Sequence, residues 1–460
     1  MIDHLMLLSI PGLRPGDLRD PNLTPTLYRL AMDGGWRDLV PTFPCLAAPV
    51  QASMLTGVGP HRHGLVADGL YEPDLSLVDF QSVRYDAIQC PTFFTTLAEQ
   101  RPGSTSALWH SRPVQGAHAT YVLAPAPVAP PHAAAVPPGP PSQTSPRGWY
   151  EQLSARLGPF PRHPDGRPLA DLRATRWIFE GALWLADHYA PNFQYLCIRH
   201  LDDIAQIFGP DSAQAAGALS ELDHLLADFM ERYGWLPLAA NTAWVIAGEY
   251  ALTPVTGAIR PNLILHQAGL LRTCRARRHE YIDLAGSDAF TLVDRQCAHV
   301  FVNRGDAPAV ADLFRGVDQI ADIVVGRERA ALGLDHPRAA PVILISQPDR
   351  WFAGHWWPGD AKGPSPNLCG TSPNLCGTST HAHGLQPVGY DPLELFRDPS
   401  TGQVPLDTSL VKGSNGAPVA TPQQRTVLIT SHPHLLQNLP TPTRDTDVFR
   451  LLCAAFNLHP

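Results

Sequence analysis

Charge is scarce in this sequence. Only 17% of its 460 residues are Asp, Glu, Lys or Arg, against 44% hydrophobic. That is the composition of a core-forming globular chain and not of a disordered one. Neither sign dominates: 34 Lys and Arg face 42 Asp and Glu, a net charge of −8. This balance, without long blocks, lacks the electrostatic footprint of nucleic-acid or anionic-membrane binding. Long apolar runs are missing too, since none reaches the ~18–20 residues of a membrane span. The first ten residues hold an apolar stretch but no basic segment before it and no small-residue cleavage pattern, so no secretory signal is expected. Clustered cysteines are also absent. Cys45, Cys90, Cys197, Cys274, Cys297, Cys369, Cys376 and Cys453 are scattered, which predicts a reduced, cytoplasmic protein with no disulfide framework.

What is present is an alternation of buried strands and amphipathic helices. The apolar run 5–10 stops at Pro11-Gly12 and reads as a buried parallel strand. Residues 193–198, 243–247, 342–346 and 426–430 read as further strands. Helices are predicted over 22–34, 50–55, 171–189 and 212–233. Strands alternating with helices indicate an α/β fold with a mainly parallel sheet. In such sheets ligands bind at the carboxyl ends of strands. Attention therefore falls on Pro11, Asp202, Glu249 and the residues after 430. Residues 124–147 contain nine prolines and predict a surface excursion of polyproline character. A perfect tandem repeat, Ser365-Pro-Asn-Leu-Cys-Gly-Thr371 then Ser372-Pro-Asn-Leu-Cys-Gly-Thr378, is too short for a solenoid. It reads as a duplication in a surface loop. A metal clip from Cys369, Cys376, His381 and His383 is the alternative, against which stands the unusual C-x6-C spacing.

Several segments in order resemble the alkaline phosphatase superfamily. They are Ser9-Ile-Pro-Gly-Leu13, the stretch Pro41-Thr-Phe-Pro-Cys-Leu-Ala-Ala-Pro-Val-Gln-Ala52, Leu55-Thr-Gly57, His61-Arg-His-Gly64, Leu201-Asp202 and Phe208-Gly-Pro-Asp-Ser212. The branch they are most similar to is the type I phosphodiesterase/nucleotide pyrophosphatase proteins. Later pieces fit a bacterial sub-branch: Glu249-Tyr250, Thr253-Pro-Val255, the segment 333–338, the segment 389–396 and Leu410-Val-Lys-Gly-Ser-Asn-Gly416. The resemblance spans nearly the whole chain. It implies a three-layer α/β sandwich around a mainly parallel sheet, with a core of 1–90 and 171–460. An inserted cap of 91–170 and a surface insertion of 350–388 complete the expected organisation.

The resemblance also implies two-metal phosphoryl transfer, in which a Thr or Ser nucleophile lies between two zinc ions held by six Asp and His ligands. Carried over residue by residue, most of that set is replaced. The first-strand Asp falls on Pro11 and the nucleophile on Ala47. The middle Asp is kept as Asp202, while the His four residues on is Gln206. The Asp-His pair becomes Glu249-Tyr250, and the last His becomes Asn415. Zinc needs three or four strong ligands, and Ala47 cannot form a covalent phospho-enzyme. No zinc is therefore expected; oxygen ligands of this kind suit only weak Mg²⁺ or Ca²⁺ binding.

The remaining residues predict a metal-independent cleft. Asp202 and Glu249, at adjacent strand ends, form a candidate acid/base pair with Tyr250 as a proton donor; the plain alternative is a pair of residues satisfied by local hydrogen bonds. Ala47, Gln206, Lys412, Asn415 and Trp356 are candidate substrate contacts, Trp356 through the aromatic cluster Trp351, Phe352, His355, Trp356 and Trp357. That cluster reads equally as packed core. His61, His63 and His299 read as structural, whereas His336, His432 and His434 are unassigned. The expected function is acid/base chemistry on a small organic metabolite, such as an isomerisation, cyclisation or elimination. Two alternatives stand beside it: a non-catalytic binding protein, and a phosphodiesterase with a non-standard metal site.

Overall fold

The computed structural model describes residues 2–75, 77–79, 87–111, 118–125, 142–162, 170–276, 279–357, 375–376, 391–398 and 404–460. The tandem repeat apart from Leu375 and Cys376, together with His381 and His383, lies outside them, as does 126–141 of the proline-rich stretch.

Thirteen strands position the site. In chain order they are β1 His4–Ser9, β2 Trp36–Val40, β3 Ser106–Trp109, β4 Tyr121–Pro125, β5 Ser142–Ser145, β6 Phe193–Cys197, β7 Thr242–Ala247, β8 Ala289–Asp294, β9 Cys297–Val302, β10 Ile320–Val325, β11 Val342–Ser346, β12 Thr426–Thr430 and β13 Thr443–Arg444. Nine form one sheet in the order β13-β2-β12-β7-β1-β6-β3-β4-β5. At its centre β1 runs parallel to both β6 and β7. A strand flanked this way is buried on both faces, which is why Leu5-Met-Leu-Leu8 is uninterrupted apolar sequence.

Alternation splits these side chains between two cores. Leu5 and Leu7 face one core with α2 (Ala47–Thr56), α3 (Phe93–Gln100) and α7 (Asp447–Ala455). Met6 and Leu8 face the other, with α1 (Pro25–Asp33), α4 (Leu172–Tyr189) and α6 (Ala213–Gly234). The result is the three-layer α/β sandwich expected. Helix starts are satisfied by side chains: Asp171 accepts from the backbone of Arg173 and Ala174 at α4, and Ser212 from Ala215 at α6. The start of α1 is served from another helix, since the buried Asp223 carboxylate accepts from the backbone N–H of Thr26 and Leu27 at 2.9 and 2.8 Å.

Three expectations are corrected. The segment 91–170 is not a cap outside the sheet, because it supplies β3, β4 and β5 and the core helix α3. The strand 342–346 belongs to a second, fully antiparallel sheet, β8-β9-β11-β10, and not to the main one. The strand 426–430 does join the main sheet, but antiparallel to β7. The second sheet has its own core, including Phe290, Val300, Val342, Leu344, Phe352 and Trp356.

Candidate functional site

Three central strands end beside one another, and their last residues build the site. β7 leads through Gly248 into Glu249 and Tyr250. A side chain at Gly248 would press on the Leu13 carbonyl at 2.8 Å and on Thr426, so only glycine allows the turn there. β1 ends in the buried turn at Pro11, where the N–H of Gly12 donates to the Tyr250 carbonyl at 2.8 Å. After β6, Arg199 precedes helix α5, His200–Phe208. Asp202 lies in the first turn of α5, where the helix dipole favours an anion. Gln206 follows one turn on, on the same face.

Glu249 is completely buried. Its Oε1 accepts from Ser9 Oγ at 2.5 Å and from Gln51 Nε2 at 2.7 Å. Its Oε2 is buried with no hydrogen-bond partner among the described residues. Burial pushes the Glu249 carboxyl up to about 7; the hydrogen bonds from Ser9 and Gln51 and the charge of Arg199 oppose this, and Asp202 adds a smaller push upward. The expected rise of one carboxyl is therefore present, but burial and not the neighbouring carboxylate is its main cause.

Asp202 is completely buried as well. Arg199 donates to its Oδ2 at 3.0 Å, while Oδ1 has no hydrogen-bond partner among the described residues. Tyr250, 2% exposed, packs with Cys45, Ala205, Leu252 and Ala47. Burial first, then Asp202 and Glu249, holds its hydroxyl far above the usual phenol range, so it stays protonated. Asn415 is buried and donates through Nδ2 to the Cys45 carbonyl at 2.8 Å; its Oδ1 has no partner among the described residues. Gln206 is buried and its Oε1 accepts from Arg295.

The structure thus gathers Asp202, Glu249, Tyr250, Gln206, Ala47 and Asn415 around the strand ends. Lys412 meets the cluster only through its backbone, with its N–H on the Gln206 carbonyl at 2.8 Å and its side chain exposed. Trp356 is a correction: it is 2% exposed and packs in the core of the second sheet, edge-on to Trp357. Trp351, Phe352 and His355 are buried too, so the aromatic cluster is packed core. His63 is buried between Ser53 and the backbone of Leu65, and burial lowers it to about 3. His432 takes up Ser431 Oγ at 2.8 Å.

Sequence reasoning passed over the groups that hold the carboxylates. Ser9 and Gln51 stand inside quoted motifs without a role. Arg199 follows β6 by two residues. Arg295 occupies the two-residue hairpin between β8 and β9, with φ at +61°. A non-glycine residue there is strained, and the Phe352 N–H fastens its carbonyl at 2.6 Å.

The donor set does not fit a zinc pair. Arg199 already engages Asp202, Arg295 engages Gln206, and Ser9 with Gln51 engage Glu249 Oε1. Among the described residues no three His, Cys, Asp or Glu side chains cluster closely enough to hold a metal ion. No helix among them is long and apolar enough to cross a membrane.

Comparison with solved structures returns the same fold. Phosphonoacetate hydrolase from Sinorhizobium meliloti 1021, in complex with phosphonoformate, superposes with a TM-score of 0.62 at 17% identity, over 99% of this chain and 96% of that one. The murine ectonucleotide pyrophosphatase/phosphodiesterase 5, as an inactive variant with AMP, gives 0.61 at 15% identity, over 99% and 96%. No curated protein matches by sequence. The profile of the type I phosphodiesterase/nucleotide pyrophosphatase family matches residues 5–379. That match covers most of the chain, including the ends of β1, β6 and β7 but neither the segment around Asn415 nor β12 and β13, and the chain belongs to the type I phosphodiesterase/nucleotide pyrophosphatase family.

Proposed function

We propose that the family cleft here performs metal-independent acid/base chemistry on a small organic molecule, with Glu249 as the group that moves the proton. The observation that carries this reading is the half-committed carboxyl: Oε1 is clamped by Ser9 and Gln51, whereas Oε2 is buried and unpartnered. A carboxyl oriented through one oxygen and poised near neutral pH suits a general acid/base. In an isomerisation, Oε2 takes a proton from one substrate atom and returns it to another, so the balance closes within the site. The Tyr250 hydroxyl, kept protonated, donates to an oxygen that gains charge. Asp202, held by Arg199, is the fixed negative partner. Eight cysteines scattered along 460 residues suit a reducing compartment such as the cytoplasm. The proposed partner is a small-molecule substrate, and not nucleic acid or a membrane.

The test incubates chelator-treated protein with a metabolite mixture and follows consumption by mass spectrometry. The expected result is a compound consumed by the wild type without added metal, and not by Glu249→Gln or Asp202→Asn. Consumption that requires added zinc, or survives unchanged in both variants, refutes the reading. A second reading has its own support in the complete burial of Asp202 and Glu249: the carboxylates brace a cleft that only binds. Retention of one compound without turnover is its signature.

A further inference from the structure

The two acceptor atoms on the buried face of α5 are each occupied by a guanidinium. Arg199 donates to Asp202 Oδ2 at 3.0 Å, and Arg295 donates to Gln206 Oε1. The acceptors lie four residues apart on one helix, so their Cβ atoms are about 5–6 Å apart. In the family resemblance these are the two positions of α5 that serve metal ions. Here each faces a fixed positive charge of the protein itself.

The site is layered. Asp202, Gln206, Glu249 and Tyr250 are buried, at 0 to 2% exposure. Arg199 keeps 35% of its side chain exposed, and Arg295 and Ala47 are half-buried. The arginines are thus the more solvent-accessible members of the cluster. Two guanidinium groups beside one another's acceptors favour an anion, the charge they pair with best. Arg199 also pairs Asp202, and the carboxyls of Asp203 and Asp391 act on Arg199 and Arg295. Arg199 Nε is itself buried without a hydrogen-bond partner among the described residues, which is a donor left over for a ligand. Arg295 sits first in the two-residue hairpin between β8 and β9, where a positive φ is what the turn requires; its φ is +61°.

We propose that Arg199 and Arg295 form a two-arginine clamp that binds an oxyanion of the ligand, phosphate or carboxylate, without metal. The clamp places the rest of the ligand against Ala47, Tyr250 and the inner carboxyls. The absence of a side-chain hydroxyl at Ala47 leaves room for an oxygen of that group. This inference rests on the reading that the cleft takes a ligand, but not on proton transfer by Glu249. A guanidinium fork suits both anions, because it can donate two parallel hydrogen bonds to either.

The test titrates chelator-treated protein with inorganic phosphate and, separately, with acetate, by calorimetry at low ionic strength. Binding of at least one anion is expected, weakened about tenfold or more in Arg295→Gln and in Arg199→Gln. The anion that binds identifies a tetrahedral or a planar group. Arg295→Lys, which keeps the charge but not the fork, is expected to fall between. Thermal melting of each variant separates a lost clamp from a lost fold. Glu249→Gln is expected to keep anion binding even if turnover disappears, so failure of the clamp and failure of the acid/base reading are seen separately. The proposal is overturned if neither anion binds at 50-fold molar excess and above, if binding appears only with added zinc, or if folded Arg199→Gln and Arg295→Gln bind as tightly as the wild type.

Discussion

Replacing Glu249 by glutamine tests the central feature of the site without any substrate. The amide keeps a carbonyl oxygen for Ser9 and Gln51 and removes only the ionisable function. Burial raises the wild-type carboxyl from 4.5 to about 7. A group raised in the folded state lends its stability in full below the unfolded value of 4.5, and that stability is lost as the pH climbs through 7. At 1.36 kcal/mol for each tenfold change, the rise corresponds to about 3 kcal/mol, of which about 2.5 falls between pH 5 and 8. Asp391 and Asp445 are also raised to about 7 by burial, so the wild type loses stability over this range from three groups. The variant keeps two of them. Urea unfolding at intervals from pH 5 to 8 should therefore show a variant whose stability falls by about 2.5 kcal/mol less than that of the wild type. An amide left without a partner at the Oε2 position lowers the whole variant curve by about 1–3 kcal/mol but does not change its slope. Parallel curves for the two proteins would show that Glu249 is ionised throughout, and would remove the basis for its role as a proton carrier.

Protein purified without added zinc should hold no stoichiometric zinc by elemental analysis; two ions per chain would contradict the donor assignments. Ala47→Thr restores a hydroxyl at the start of α2 but no metal to activate it, so metal-stimulated hydrolysis of an aryl phosphodiester should not appear, and its appearance would refute the reasoning. Asp223→Ala leaves two buried N–H groups at the start of α1 unpaired and should cost about 2–4 kcal/mol in urea unfolding, with a loss under about 1 kcal/mol contradicting the capping role.

The central strands were legible because a strand buried on both faces must be continuously apolar, and 5–10, 193–198 and 243–247 are. The same signal misplaced 342–346: an apolar run carries no mark of which sheet it joins, and β11 pairs with β9 and β10 through contacts that local pattern does not encode. The strands of 91–170 were missed because Ser106–Trp109 and Ser142–Ser145 carry no long uninterrupted apolar run and proline-rich sequence separates β4 from β5. At the site, the positions of Asp202, Glu249 and Tyr250 followed from the strand ends. Their partners did not. Ser9 and Glu249 are 240 residues apart in sequence and Arg295 and Gln206 are 89 apart, and no spacing rule reaches that far. Arg295 is reached only through a hairpin of the second sheet, whose existence the sequence reading lacked.

That hairpin ties the cleft to the architecture. Arg199 is carried by the parallel sheet and Arg295 by the antiparallel one, so a ligand gripped by both would act as a removable cross-link between two sheets that also share one core through Cys297, Ile343 and Ile345. Its binding free energy adds to the docking of the second sheet. Amide hydrogens of β8 and β9 should exchange more slowly in its presence, and sub-global opening of that sheet should become rarer.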